Sequence, residues 1–230
     1  MLTWVAGLAG CAALLVAGRW TLRPVDALGR RRRFPFATLL ALVSLCLAAA
    51  VPVARHRQLE DRLTAAASAL AGVPVSVDCQ TRGQEMLDAR NELGWVPYDA
   101  AGVPERRTLI KREPCARLAS YVGSRAERAA PGLTTVVAVH VLAHEVEHMR
   151  GSTAEASVEC AAVQHDAAAA RLLGASATEG AALARRYWFE VYPRMAEEYR
   201  STQCRPGGAL DAGLADAPWA KVSGGGSPGR

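Results

Sequence analysis

Lysine is nearly missing from this chain of 230 residues: Lys111 and Lys221 are the only two among 27 basic side chains, and arginine supplies the rest. That bias follows GC-rich coding and points to a bacterial source. The net charge of +5 would invite a nucleic-acid reading. Its main cluster, however, sits between two apolar runs, where a membrane accounts for it and no nucleic acid is needed. Aromatics are scarce at 6%, no internal repeat occurs, and no separate specificity subdomain is visible. No Cys-x-x-Cys pair exists among the six cysteines, which argues against a cysteine-bound zinc.

Charge is absent from Leu2 to Gly18 and from Phe34 to Ala54. A helix that crosses the hydrocarbon core needs roughly 17–25 such residues, so both segments read as transmembrane helices. The loop from Arg19 to Arg33 holds six arginines against one acid, Asp26, and positive loops stay in the cytoplasm. The expected arrangement is a two-pass protein of the cell membrane, with everything after Ala54 outside. Leu2–Gly18 could instead be a cleaved signal peptide, but it has no basic start and a second span follows. Leu8-Ala9-Gly10-Cys11 has the look of a lipoprotein cleavage box, with only ten residues ahead of the cysteine and no leading charge. A buried core helix is the third alternative; the long uncharged run of the second segment, without amphipathic period, speaks against it.

Cys11 and Cys46 lie inside the spans. Cys79, Cys115, Cys160 and Cys204 lie in the outer part, where they can pair. Pairing of sequence neighbours predicts Cys79–Cys115 and Cys160–Cys204; four reduced, buried thiols are the alternative. Apolar residues at helical spacing predict a helix over 55–71, ended by Gly72-Val73-Pro74. Alternation at Val73, Val75 and Val77 predicts a strand running into Cys79. A weak helix is expected over 84–93, turns over 94–104, a second strand over 107–111, and a helix around 115–121. The strongest helix spans 133–149, capped by Thr134 or Thr135 and stopped at Gly151. Further helices are expected over 152–173 and over 179–199, the latter broken at Pro193. After Cys204 the composition turns to Gly, Pro, Ala and Asp, as in a disordered tail.

The strongest helix carries His144-Glu145-Val146-Glu147-His148. Histidines four apart stand one above the other on one helix face, so both imidazoles can reach one metal ion. Glu145 then points at the open position of that ion, where it can take a proton from water. A catalytic zinc needs a third protein ligand, and Glu155, Glu159, His165 and Asp166 are the candidates. Ser152-Thr153-Ala154-Glu155 reads as a capping box, which already explains Glu155. Nothing of that kind explains Glu159, so Glu159 is the expected third ligand; should Glu155 bind instead, Glu159 would support a histidine from behind. Tyr187, Tyr192, Tyr199, Arg150 and His165 are candidates for stabilising an oxyanion, though each also reads as a packing or surface residue. His140, one turn before His144, reads as a hydrogen-bonded structural residue or as a support for a ligand. His56 has no evident role.

The motif with a downstream glutamate resembles the gluzincin class of zinc metallopeptidases, whose third ligand is a glutamate on the next helix. Glu159-Cys160-Ala161-Ala162 is similar to the Glu-x-x-Ala element of that class. The aspartate that the class often carries four residues after the ligand is replaced by Val163. The run from His144 to Gly151 also matches the start of the metzincin pattern, but Ala154 stands where that pattern needs a ligand. The stretch from His144 through Cys160 and Gln164, with Tyr199-Arg200-Ser201 and Cys204-Arg205-Pro206-Gly207-Gly208, resembles small membrane-anchored actinobacterial proteins with a zincin-like motif.

The expected fold is mainly α with short strands: two transmembrane helices with a basic cytoplasmic loop over 1–54, a zincin-like extracytoplasmic domain over 55–204, and a disordered tail over 205–230. The expected activity is hydrolysis of a peptide or envelope-protein substrate, with zinc on His144, His148 and Glu159 and with Glu145 as general base. Two other readings compete. One is a catalytically silent envelope module stabilised by zinc, and the other is a metal-free helical interaction domain.

Overall fold

The computed structural model describes residues 2–22, 29–30 and 33–220. The chain divides into two compact units, Met1–Leu59 and Glu60–Arg230. Unit one holds α1 (Leu2–Leu22) and the first part of α2 (Phe36–Ala71), which continues through Pro52. Both helices are long and apolar enough to cross a membrane, over Trp4–Leu22 and Phe36–Ala71. Within this unit the small residues Ala9 and Ala49 are buried, Cys46 donates its thiol to the Ala6 carbonyl, and Gly10 faces the Cys46 sulfur. Small residues at such a contact let two helices approach closely. Most of the basic loop lies outside the described residues.

Unit two is mainly helical. After α2 come β1 (Ser76–Cys79), a single helical turn α3 (Arg82–Glu85), β2 (Gly94–Trp95) and β3 (Arg107–Ile110). There follow α4 (Arg112–Gly123), α5 (Arg125–Ala129), α6 (Leu133–Met149), α7 (Glu155–Leu172) and α8 (Ala177–Arg186). The strands form one sheet in the order β1-β3-β2, with β1 parallel and β2 antiparallel to β3. The strands expected around 73–79 and 107–111 are present. The two-residue β2 falls in the stretch expected to be turns, and its pairing of Gly94 with Ile110 and Trp95 with Leu109 has no periodic signal in so short a run. The helix expected over 84–93 shrinks to α3.

The outer edge of β1 is covered by α2. Glu60, Thr64 and Ser68, one turn apart, accept hydrogen bonds from the backbone N–H groups of Cys79, Val77 and Val75 at 2.9, 3.0 and 3.1 Å. Four residues of helix advance about 6 Å and two residues of strand about 6.6 Å, so the two periods match. An edge satisfied this way is closed to further pairing. Leu63, Ala66 and Ala67 of the same turns are buried in the core, Leu63 contributing about 1.5–3 kcal/mol.

Both expected disulfides form. Cys79–Cys115 ties β1 to α4, and Cys160–Cys204 ties α7 to the segment after α8. On the chain-entropy model, loops of 36 and 44 residues contribute about 4 kcal/mol each. Residues 205–220, expected to be without structure, instead lie against α7. The Gln164 amide donates to the Leu210 carbonyl at 2.9 Å and accepts from the Ala212 N–H at 2.7 Å, Arg171 pairs with Asp216, and Trp219 meets Trp188 edge-on. A Gly- and Pro-rich composition gave no hint of these partners. The remainder of the expected tail, 221–230, lies outside the described residues.

A candidate metal centre between two helices

α6 is buried on nearly all sides, as a helix apolar around its circumference must be. It begins after Gly132, without the threonine cap expected; Thr135 donates instead to Glu127. Its end is a Schellman turn. Gly151 takes φ +105°, its N–H donates to the His148 carbonyl at 2.8 Å, and the Ser152 N–H reaches back to the Glu147 carbonyl at 3.3 Å. This conformation needs a residue without Cβ strain. The turn sends α7 back along α6 and leaves the Ser152 carbonyl 3.0 Å from His148 Nδ1.

α6 therefore presents three histidines one turn apart, and α7 faces them with acids. His140 meets Asp166, His144 meets Glu159, and both His144 and His148 meet Glu155. His148 donates Nδ1–H to Ser152, and His144 donates Nδ1–H to Glu159 Oε2 at 3.0 Å. Both Nε2 atoms are thereby turned to the other side, where they stand 3.1 Å apart. Glu155 Oε2 completes a triangle, 3.3 Å from His144 Nε2 and 3.5 Å from His148 Nε2. Ligands of a tetrahedral zinc at about 2.0–2.1 Å are separated by about 3.3–3.4 Å, so the triangle has the size a metal ion requires. Glu155 Oε2 is also buried with no hydrogen-bond partner, which marks it as an acceptor lacking its donor. His144, His148 and Glu155 could thus hold a metal ion, and His140, His144 and Glu159 form a second such group.

Glu159, the expected third ligand, groups with His140 and His144, while Glu155 groups with His144 and His148. Glu159 faces Nδ1 of His144 and does not join His148, while Glu155 meets both motif histidines. The expected capping box is absent: α7 starts at Glu155, its cap residue is Ala154, and no side chain caps it. The Glu155 carboxylate is turned to the histidines instead. Glu155 and Glu159 share one helix face, so both stand within reach of His144. With Glu155 as ligand, an acid does stand four residues further, at Glu159. The remaining candidates, Asp166 and His165, face His140 and Glu147.

Charge follows the same layout. The facing imidazoles of His144 and His148 hold Glu155 down to about 2. Burial opposes the charged form of His144, but Glu155 and Glu159 raise it to about 9.

Glu145, 4% exposed, sits beside the triangle. Burial raises its pKa above the usual carboxylate range, against the pull of His144 and His148, and this makes it a stronger base. The Thr108 hydroxyl on β3 lies between two acceptors, the Trp95 carbonyl at 3.0 Å and Glu145 Oε2 at 3.3 Å, and Gly94 on β2 packs so close that an added Cβ would lie 2.8 Å from Oε1. The sheet therefore reaches Glu145 only because residue 94 is glycine. A cleft of about 330 Å³ opens over these groups, bordered by Gly94, Trp95 and Val96 on one side and Val191, Met195 and Tyr199 on the other. Of the oxyanion candidates, Tyr187 is committed to Glu159, Tyr192 to the Ser201 backbone, and Arg150 and His165 to Glu147. Tyr199 lines the cleft with its ring 6.0 Å from that of His144. Tyr98 lines it as well; its position in a turn-rich stretch carries no sequence signal, and neither does that of Gly94 or Thr108.

Comparison of the chain with protein-family models, with curated proteins and with solved structures gives no match. The functional reading rests on the geometry of the site.

Proposed function

We propose that this chain is a membrane-anchored zinc metallopeptidase of zincin-like type, with its catalytic unit on the oxidising side of the membrane. The observation that carries the reading is the triangle of two Nε2 atoms and the unpartnered Glu155 Oε2, open to a cleft beside a buried glutamate. Two imidazoles and one carboxylate are the donor set of catalytic zinc sites that keep a further position free. When bound, the ion supplies Lewis acidity, polarising a carbonyl and making water acidic near neutral pH. Glu145 takes the proton of the attacking water and passes it to the leaving amine, with the Thr108 hydroxyl beside its Oε2. Tyr199 and Tyr98 supply phenol donors for the developing oxyanion. The edge strand β2 borders the cleft, and an extended peptide can lie along such an edge. Two disulfides in unit two fit an extracytoplasmic compartment, and the two apolar helices fit a two-pass anchor.

The test uses the full chain in detergent micelles. Metal content is measured by mass spectrometry, and hydrolysis is followed on a peptide library. Parent protein should carry one zinc per chain and cut peptides, and Glu145→Gln should keep the zinc while losing about 10²–10⁴-fold in rate. Zinc without any turnover, equal in parent and variant, would favour the silent envelope module; absence of metal would sink both readings.

A further inference from the structure

The second cluster of titratable groups lies behind the triangle and is sealed from solvent. Asp166 is 0% exposed, Glu159 1% and His140 3%. His140 donates Nδ1–H towards both Asp166 oxygens, at 3.1 Å each, and Nε2–H to Glu159 Oε2 at 2.9 Å. Tyr187 donates its hydroxyl to Glu159 Oε1 at 2.7 Å and lies flat on the His140 ring, 3.6 Å between centroids and 12° between planes. Glu159 thus receives three hydrogen bonds, from His140, His144 and Tyr187. Each of the three comes from a different turn or element, so the carboxylate has one orientation in which all are made.

We infer that His140, Asp166 and Tyr187 are positioning residues for the metal centre: they lock the Glu159 carboxylate, which holds His144 as its Nδ1–H form and so presents Nε2 to the ion. The inference rests on the metal reading above. Burial alone would disfavour a charged His140, but Glu159 and Asp166 raise it to about 10, in keeping with a ring that donates from both nitrogens. Burial pushes Asp166 up, with the facing His140 pulling against it, and burial followed by Glu159 keeps Tyr187 protonated as a donor. The same atoms could be read as a second ion site. Against that, every polar atom of the cluster already has a hydrogen bond, whereas Glu155 Oε2, with ion-pair contacts to two imidazoles, has none.

Full-length protein in micelles is stripped with a chelator and titrated with Zn²⁺ in competition with a chromogenic chelator, and with Co²⁺ to read the ligand field. Asp166→Asn and His140→Gln should weaken Zn²⁺ binding by about 10–100-fold and alter the Co²⁺ spectrum. Glutamine retains an amide donor near the position of Nε2, so His140→Gln should bind more tightly than His140→Ala. Tyr187→Phe removes one hydroxyl, keeps the ring stack, and should still weaken binding if the buried variants fail to fold. Long-range ¹⁵N NMR of the Zn²⁺-loaded parent should show His144 ligating through Nε2 with Nδ1 protonated. A purely structural cluster would lower the melting temperature and leave metal affinity and the Co²⁺ spectrum unchanged, which overturns the inference while the metal reading stands. Two ions per chain would overturn it also. A parent that binds no metal would end the metal reading itself.

Discussion

Two groups of histidine and carboxylate share the α6–α7 interface, and His144 belongs to both. Behind it, His140, Asp166, Glu159 and Tyr187 satisfy one another completely and exclude solvent. In front of it, His144, His148 and Glu155 converge at a cleft, and Glu155 Oε2 lacks a partner. The residue types are the same, and the spacing along each helix is the same four-residue step or a multiple close to it. Completeness of hydrogen bonding separates them. A buried polar cluster that is closed on itself contributes to the fold, whereas one left open by a single donor is arranged for something that is not part of the chain.

This contrast can be broken by deletion. Glu159→Ala should cost about 3–5 kcal/mol in the chelated protein, because it leaves His140 buried without one of its partners. Glu155→Ala should change the same stability by less than about 1 kcal/mol, since that side chain is 38% exposed and its ion pairs are screened. Equal losses in denaturant melts would erase the distinction. Metal sharpens the contrast from the other side. Zinc at a hundred times its Kd should stabilise the parent by about 2.7 kcal/mol, and should give Glu155→Ala almost none of that, as read by thermal shift.

A smaller effect is expected where the sheet touches the front group. Gly94→Ala places a methyl 2.8 Å from Glu145 Oε1, and the strand or the glutamate must move, at about 1–3 kcal/mol. Peptide hydrolysis should fall more than zinc affinity does; unchanged turnover would mean that Glu145 is not held by β2. The smallest signal is in pH. His140 titrates near 6.5 in the unfolded chain and near 10 in the fold. Its stabilisation is therefore complete below 6.5 and is lost as pH rises through about 10. Chelated parent should melt lower at pH 10 than at pH 7, and His140→Gln should flatten that slope.

Much of this was legible in the residues. The paired histidines announced a helix face that could hold a metal ion, Gly151 its end, and the apolar runs two membrane-length helices. Both disulfides followed from sequence proximity. Spacing alone did not separate Glu155 from Glu159 as third ligand, because a capping box and a ligand can be written with the same glutamate. The competing use of Glu155 was decided by where the Schellman turn released the chain, and α7 then began at Glu155 itself, leaving the carboxylate free to turn inward. The segment after Cys204 failed for a different reason. Its few anchors, Leu210, Ala212 and Trp219, bind through backbone groups and single contacts that composition does not reveal.

The sequence alone determined which side chains would line one face of α6, because 3.6 residues per turn leave no other place for residues 140, 144 and 148. It also determined that two N-terminal helices would be long and apolar enough to cross a membrane. Only the tertiary structure decided which acid of α7 meets which histidine, that Gly94 brings a strand against Glu145, and that Glu60, Thr64 and Ser68 close the edge of β1. Those outcomes depend on the height and rotation at which separate elements pack, a relation between distant parts of the chain that no local pattern encodes.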